Sequence, residues 1–119
     1  MKIHESLFGL TQSQIDAIGQ VCARHPFVEE LVIYGSRAKG NYKPGSDIDL
    51  TIIGSGIEYS ERLKIESELD DLLLPYKIDL SVFNEIGDPD LIDHIQRVGK
   101  IFWGATAEKN AERGKAWFS

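Results

Sequence analysis

The sequence predicts a mixed α/β fold, an α+β arrangement in which a small mixed β-sheet has helices packed against it. Three observations point there. Short apolar runs recur at 31–34, 47–53 and 77–83, the last two with two-residue alternation. Stretches with helical apolar spacing lie between and around them. Clusters of Gly, Pro, Asn and Ser separate the two kinds of segment. A chain of 119 residues has room for one core but not two.

Taken in order, residues 1–10 form a lead-in with no clear period. Thr11 and Gln14 have the spacing of a capping box, so a helix should start there. Ile15, Ile18 and Cys22 share one face of it, with Val21 alongside, and Pro26 ends it. Arg24 and His25 occupy the last turn, where basic residues suit a helix end. Residues 27–34 read as the first strand, and Gly35-Ser36 follows as a turn into a short helical piece. The Asn, Pro, Gly and Ser of 41–46 mark a loop. A second strand spans 47–53. After Gly54-Ser55-Gly56, a helix of about four turns runs to Leu74, before Pro75. Its apolar stripe is Ile65, Leu69, Leu72 and Leu73, and its acidic residues, Glu61, Glu66, Glu68, Asp70 and Asp71, read as a solvated face.

The third strand is centred on Asp79. A turn at 84–88 leads to Asp88-Pro89, a cap followed by proline at the first helical position. Leu91, Ile95 and Val98 line that helix, Gly99 closes it, and His94 falls off the stripe toward the surface. Residues 100–103 read as a short final strand. The expected organisation is a domain over 1–104 and a polar, helix-prone tail over 105–119. The tail ends in Trp117-Phe118, a pair either folded back on the core or held by a partner.

Composition narrows the function. Hydrophobic content of 42% and charged content of 27% are those of a soluble globular protein. The net charge of −6 argues against an extensive nucleic-acid surface. The lone Cys22 excludes an internal disulfide, fits a cytoplasmic location, and in its helical setting reads as a small core residue. No secretory leader and no apolar run near about 18 residues is seen, so neither export nor a membrane span is expected.

The chemistry concentrates in 35–49, GSRAKGNYKPGSDID. Alternation on the second strand puts Asp47 and Asp49 on one face and Ile48, Leu50 and Ile52 on the other. Ionising two adjacent carboxylates is costly unless a cation sits between them. Hard divalent cations such as Mg2+ take carboxylate oxygens together with substrate phosphates. At the other end, Gly35 allows a tight bend and close approach of a ligand. The free N–H groups and dipole of a helix starting at Ser36 favour phosphate. Arg37 and Lys39 add positive charge nearby. If the third strand lies beside the second, Asp79 joins Asp47 and Asp49, and three carboxylates can hold two metals about 4 Å apart. The site expected is one for a metal–nucleoside triphosphate.

The constellation of Gly35-Ser36, ten residues, Asp47-x-Asp49 and a later strand aspartate resembles the signature of the DNA polymerase β-type nucleotidyltransferase superfamily. The local text GSRAKG…SDIDL is similar to its minimal nucleotidyltransferase (MNT) branch. The resemblance spans roughly the first helix to Trp103. It implies catalysis with two Mg2+ ions held by Asp47, Asp49 and Asp79, Asp79 as general base, and ATP as the substrate. Larger relatives carry an added helical domain for the acceptor. The resemblance therefore implies an acceptor on a second subunit, as in a homodimer, or on a HEPN-type helical partner, with this chain as antitoxin and AMP moved onto the toxin. Two other readings stay open at this level: a non-catalytic module that neutralises a partner by contact, and transfer to a small molecule.

Overall fold

A computed structural model describes residues 7–118. The elements run α1 (Gln12–Ala23), β1 (Glu30–Tyr34), α2 (Gly35–Lys39), β2 (Ile48–Ile53), α3 (Tyr59–Asp70), β3 (Ile78–Val82), a 3₁₀ turn (Phe83–Glu85), α4 (Pro89–Val98), β4 (Lys100–Gly104) and α5 (Ala107–Asn110). The four strands form one mixed sheet in the order β3-β2-β1-β4. β1 is antiparallel to both β2 and β4, while β2 and β3 are parallel. The expected mixed sheet with packed helices is therefore the observed architecture.

The strand alternation divides the sheet into two faces. Leu31 and Ile33 of β1, Ile48, Leu50 and Ile52 of β2, and Leu80 and Val82 of β3 share a core with Ile15, Ile18, Val21 and Cys22 of α1 and with Ile65 and Leu69 of α3. Val32 and Tyr34 turn the other way and pack with Ile95 of α4, flanked by Phe83, Leu91, Val98 and Trp117. Covering both faces makes β1 buried along its whole length. Burial and the charge of Glu68 push the Cys22 thiol up to about 12, so it stays a neutral core group. Among the described residues no helix is long and apolar enough to cross a membrane.

Local signals hold well at the helix starts. Thr11 Oγ1 accepts from the Gln14 N–H at 3.1 Å, and the Gln14 side chain accepts from the Thr11 N–H at 3.0 Å. Asp88 caps α4 through the Asp90 N–H at 2.9 Å, with Pro89 inside the first turn. Three expectations are corrected. Strand β1 starts at Glu30, and Phe27 ahead of it is exposed. Helix α3 ends at Asp70 rather than reaching Leu74, and Leu73 adopts φ +56 and stands 87% exposed outside the stripe. The acidic face of α3 is also not wholly solvated. His25 is buried, with Nδ1 against Glu61 and Nε2 2.9 Å from Glu68, which also bonds Arg24 at 3.3 Å. A carboxylate at each ring nitrogen favours donation from both, so the pair stabilises the cationic imidazole and raises its pKa. The ring ties the end of α1 to α3.

The stretch after β4 is also bonded into the sheet. Gly114 N–H donates to the Ile101 carbonyl at 2.7 Å, and Ile101 N–H donates to the Lys115 carbonyl at 2.9 Å. Trp117 folds back on its own chain: Nε1 donates to the Ile95 carbonyl at 2.9 Å and the ring meets Phe83 edge-on. Phe118 remains half exposed. The outer edge of β4 is thus closed by the chain's own C-terminal stretch.

Two stability predictions follow from buried charges. Burial opposes charging of His25, but its bonds to Glu68 and Glu61 prevail and raise its pKa above 6.5, while the same bond lowers Glu68 below 4.5. The His25 contribution is present below its unfolded pKa and fades as pH rises through the folded value; the Glu68 contribution is present above 4.5 and fades as pH falls. The cluster therefore contributes most between those two values. His25→Ala should cost about 2 kcal/mol near pH 6 and less near pH 9, as read by urea unfolding at each pH. Glu30 presents the opposite case. Its Oε2 is buried without a partner among the described residues, and burial raises its pKa despite the pull of Lys109. Glu30→Gln should stabilise the fold by about 1 kcal/mol near pH 8, with the gain shrinking toward pH 5, in the same unfolding assay.

Candidate active site

The face of the sheet that carries α4 also carries the acidic residues. The parallel register of β2 and β3 sets Asp49 directly beside Asp79, and the antiparallel register of β1 and β2 sets Tyr34 on the other side of Asp49. One repeat further along, Thr51 lies beside Ser81, whose hydroxyl donates to Thr51 Oγ1 at 2.9 Å. The row is polar because Ile48, Leu50, Ile52, Leu80 and Val82 already fill the opposite core. Asp47 precedes β2 and is exposed, two residues before Asp49 and on the same face by alternation.

Burial, then the charges of Asp79 and Asp47, raise the Asp49 carboxyl above the usual range against the pull of Arg37. Among the described residues no three acid, imidazole or thiol side chains close into a cage able to hold an ion by themselves. Asp47 stands a full pleat repeat beyond the Asp49–Asp79 pair, roughly 6.6 Å along the strand. This donor set fits a hard cation that completes its shell with substrate oxygens better than one held by protein alone.

Gly35 binds the glycine turn to this row. Its φ is +72, and a Cβ there would collide with the Asp49 carboxylate. Only glycine allows α2 to begin against that side chain. Ser36 is partly exposed at the start of α2, which Gly40 closes in the left-handed region at φ +86. Lys39 is exposed in its last turn.

Arg37 takes a different position from the phosphate-facing one that charge alone suggested. It is 2% exposed, with Nε and Nη2 donating to the Ser46 carbonyl at 3.1 and 2.8 Å and Nη1 donating to the Phe8 carbonyl at 2.9 Å. Tyr42 and Tyr76 stack on its guanidinium. The reason is geometric: an inward side chain of so short a helix meets loop carbonyls that need donors. Arg37 therefore fixes the loop that delivers Asp47, a role no sequence spacing reveals. His94, expected at the surface, is partly buried, with its ring edge-on to Tyr34 at 6.1 Å. Burial, with Arg97 and Lys39, holds it below its ordinary pKa, so a neutral imidazole overlooks the site. Tyr34 is the further neighbour of Asp49, set across from it in the register of β1 and β2. Tyr34 could have been found from the alternation that turns it to the Asp49 face.

Residues 16–108 match the profile of the family described as polymerase beta, nucleotidyltransferase. The chain belongs to that family. No curated protein sequence matches this nucleotidyltransferase-family chain significantly. Solved structures share its fold. One is a toxin–antitoxin with AMP-PNP, at TM-score 0.64 and 20% identity over 82% of this chain and 77% of that one. Another is a tri-AMPylated HEPN toxin from Shewanella oneidensis in complex with its MNT antitoxin, at TM-score 0.60 and 19% identity over 84% and 76%. A third is the toxin–antitoxin MntA-HepT, at TM-score 0.60 and 18% identity over 85% and 78%.

The fit of Gly35 against Asp49 gives the site its own test. Gly35→Ala should cost roughly 1–2 kcal/mol of stability, since the new Cβ strains the bend and displaces the Asp49 carboxylate, as read by a thermal melt.

Proposed function

We propose that this chain is a Mg2+-dependent nucleotidyltransferase that moves a nucleoside monophosphate, AMP from ATP, onto a hydroxyl of a partner protein. The observation that supports it most is the register that sets Asp79 beside Asp49, with Asp47 on the same face and the Gly35 bend pressed against Asp49. In this reading the triphosphate lies with its phosphates at Gly35-Ser36, where the first-turn N–H groups of α2 lack intrahelical acceptors. Lys39, exposed in the last turn of α2, adds positive charge one turn further along.

The reaction forms a bond between the acceptor oxygen and the α-phosphorus and breaks the bond from that phosphorus to pyrophosphate. Asp79, on the edge strand and exposed, accepts the acceptor's proton. Asp47 and Asp49 hold the ion-bearing side of the triphosphate, and Asp49 is fixed between Tyr34 and Asp79. Bound Mg2+ would supply neutralisation of the phosphates and acidification of the acceptor hydroxyl. The protein's own contribution is placement of reactants and charge.

The partner is read as a HEPN-type toxin, with this chain as its antitoxin. Support comes from the structural neighbours, one an AMPylated HEPN toxin bound to an MNT antitoxin. A second copy of the chain is the other source of an acceptor surface. The test is to mix the chain with ATP, Mg2+ and a HEPN-type helical toxin, and to weigh that protein by mass spectrometry. The wild type should add AMP to it, and Asp49→Asn and Asp79→Asn should each slow the addition by about 100-fold or more with the fold intact. Neutralisation of the toxin that survives Asp47→Ala, with no mass gain in any sample, would favour contact alone.

A further inference from the structure

The sheet has two edges, and the chain treats them differently. The outer edge of β4 is closed by the bonds from Gly114 and Lys115 and the bridge between Lys100 and Ala116. Strand β3 is the opposite edge, and among the described residues no strand pairs with its outer side. A row of unpaired backbone donors and acceptors is a template for another strand.

Beside that edge, between β3 and α3, lies a groove of about 220 Å3 lined by Glu66, Leu69, Asp70, Ile78 and Leu80. Leu69, Ile78 and Leu80 line its base, Leu69 and Leu80 nearly buried, and Glu66 and Asp70 make an acidic rim that supplies most of its exposed surface. Glu66 shares its charge with Arg62 at 2.7 Å, whereas Asp70 is exposed and has no ion pair among the described residues. The chain turns sharply after α3, with the Leu73 N–H bonded to the Asp70 carbonyl at 3.1 Å and the Leu73 side chain in solvent. The groove opens on the face that holds Ile78 and Leu80, and Asp79 lies on the other face of the same strand.

We infer that the acceptor protein docks here as an extended segment along the outer edge of β3, with its acceptor hydroxyl delivered to Asp79. This rests on the nucleotidyl-transfer reading and adds how the acceptor is recognised. Side chains of an added strand alternate, and its backbone lies about 4.8 Å from β3. Residues on one face enter the groove over Leu69, Ile78 and Leu80. The residue between them falls on the face of Asp79, within reach of a serine, threonine or tyrosine hydroxyl. The segment selected is thus a hydroxyl residue flanked on both sides by apolar residues. Lysine or arginine nearby matches Asp70 and Glu66 across the rim and the net charge of −6. The acidic rim and the position of Asp79 on the edge strand favour a basic acceptor segment over a second copy of this acidic chain.

The test uses the full chain and a HEPN-type helical toxin as the partner. Amide hydrogen exchange is followed over residues 78–82 with and without that protein. Affinity is measured with the Asp47→Ala chain, so docking is read without transfer, and KM and kcat are measured with otherwise wild-type chain. Partner binding should slow exchange in β3. Glu66→Lys with Asp70→Lys should raise both Kd and KM by about tenfold or more at low salt and leave kcat unchanged. Glu108→Lys with Glu112→Lys, the same change of charge near α5, should leave all three unchanged. Unaltered exchange in β3, an unaltered Kd and KM, no binding, or equal protection from self-association without the partner each overturns the docking surface. Protection of β3 without any AMP transfer keeps the surface and removes the transfer reading; transfer without protection does the reverse.

Discussion

The arrangement depends on one constraint, the lateral alignment of Asp49 with Asp79 on parallel neighbouring strands. Each strand has a period of two, and each buries its even-numbered residues, 48, 50 and 52 on β2 and 80 and 82 on β3. The core therefore dictates that the odd-numbered acids share the other face. A slip of one residue in either strand would bury a carboxylate and expose an isoleucine or leucine. The hydrophobic effect thus holds two like charges side by side, and burial first, then the charges of Asp79 and Asp47, raises the Asp49 pKa.

Around that pair the remaining parts act as positioning. The Gly35 bend brings the start of α2 against Asp49, and the Arg37 guanidinium pins the loop that leads to Asp47. Arg37 is the clearest case of a residue whose charge suggests one role and whose surroundings assign another. Once its donors meet the Ser46 and Phe8 carbonyls, removing it would leave buried acceptors unpaired. His25 shows the same effect on the other side of the sheet, where a helix-end histidine becomes a carboxylate-bonded link between α1 and α3.

The two sheet edges distinguish a finished side from an open one. Trp117 and the residues before it cover β4, and their aromatic packing extends the core around α4. β3 has no such cover among the described residues and carries Asp79. An acid at an uncovered edge is reachable by a second molecule in a way that Asp49, set between two strands, is not.

By itself the sequence determined the elements, the helix caps at Thr11 and Asp88, the face on which each strand acid lies, and the family signature of Gly35-Ser36, Asp47 and Asp49. These depend on local period and local turn chemistry, which a single chain segment carries within itself. It brought Asp79 to Asp49 only on the condition that the third strand lay beside the second, and it could not bury Arg37, engage Glu61 and Glu68 with His25, turn Leu73 outward, or choose between a folded-back and a partner-held Trp117. Each of those depends on which segments meet across tens of residues. That outcome is decided by packing both faces of one sheet at once, so only the tertiary structure contains it.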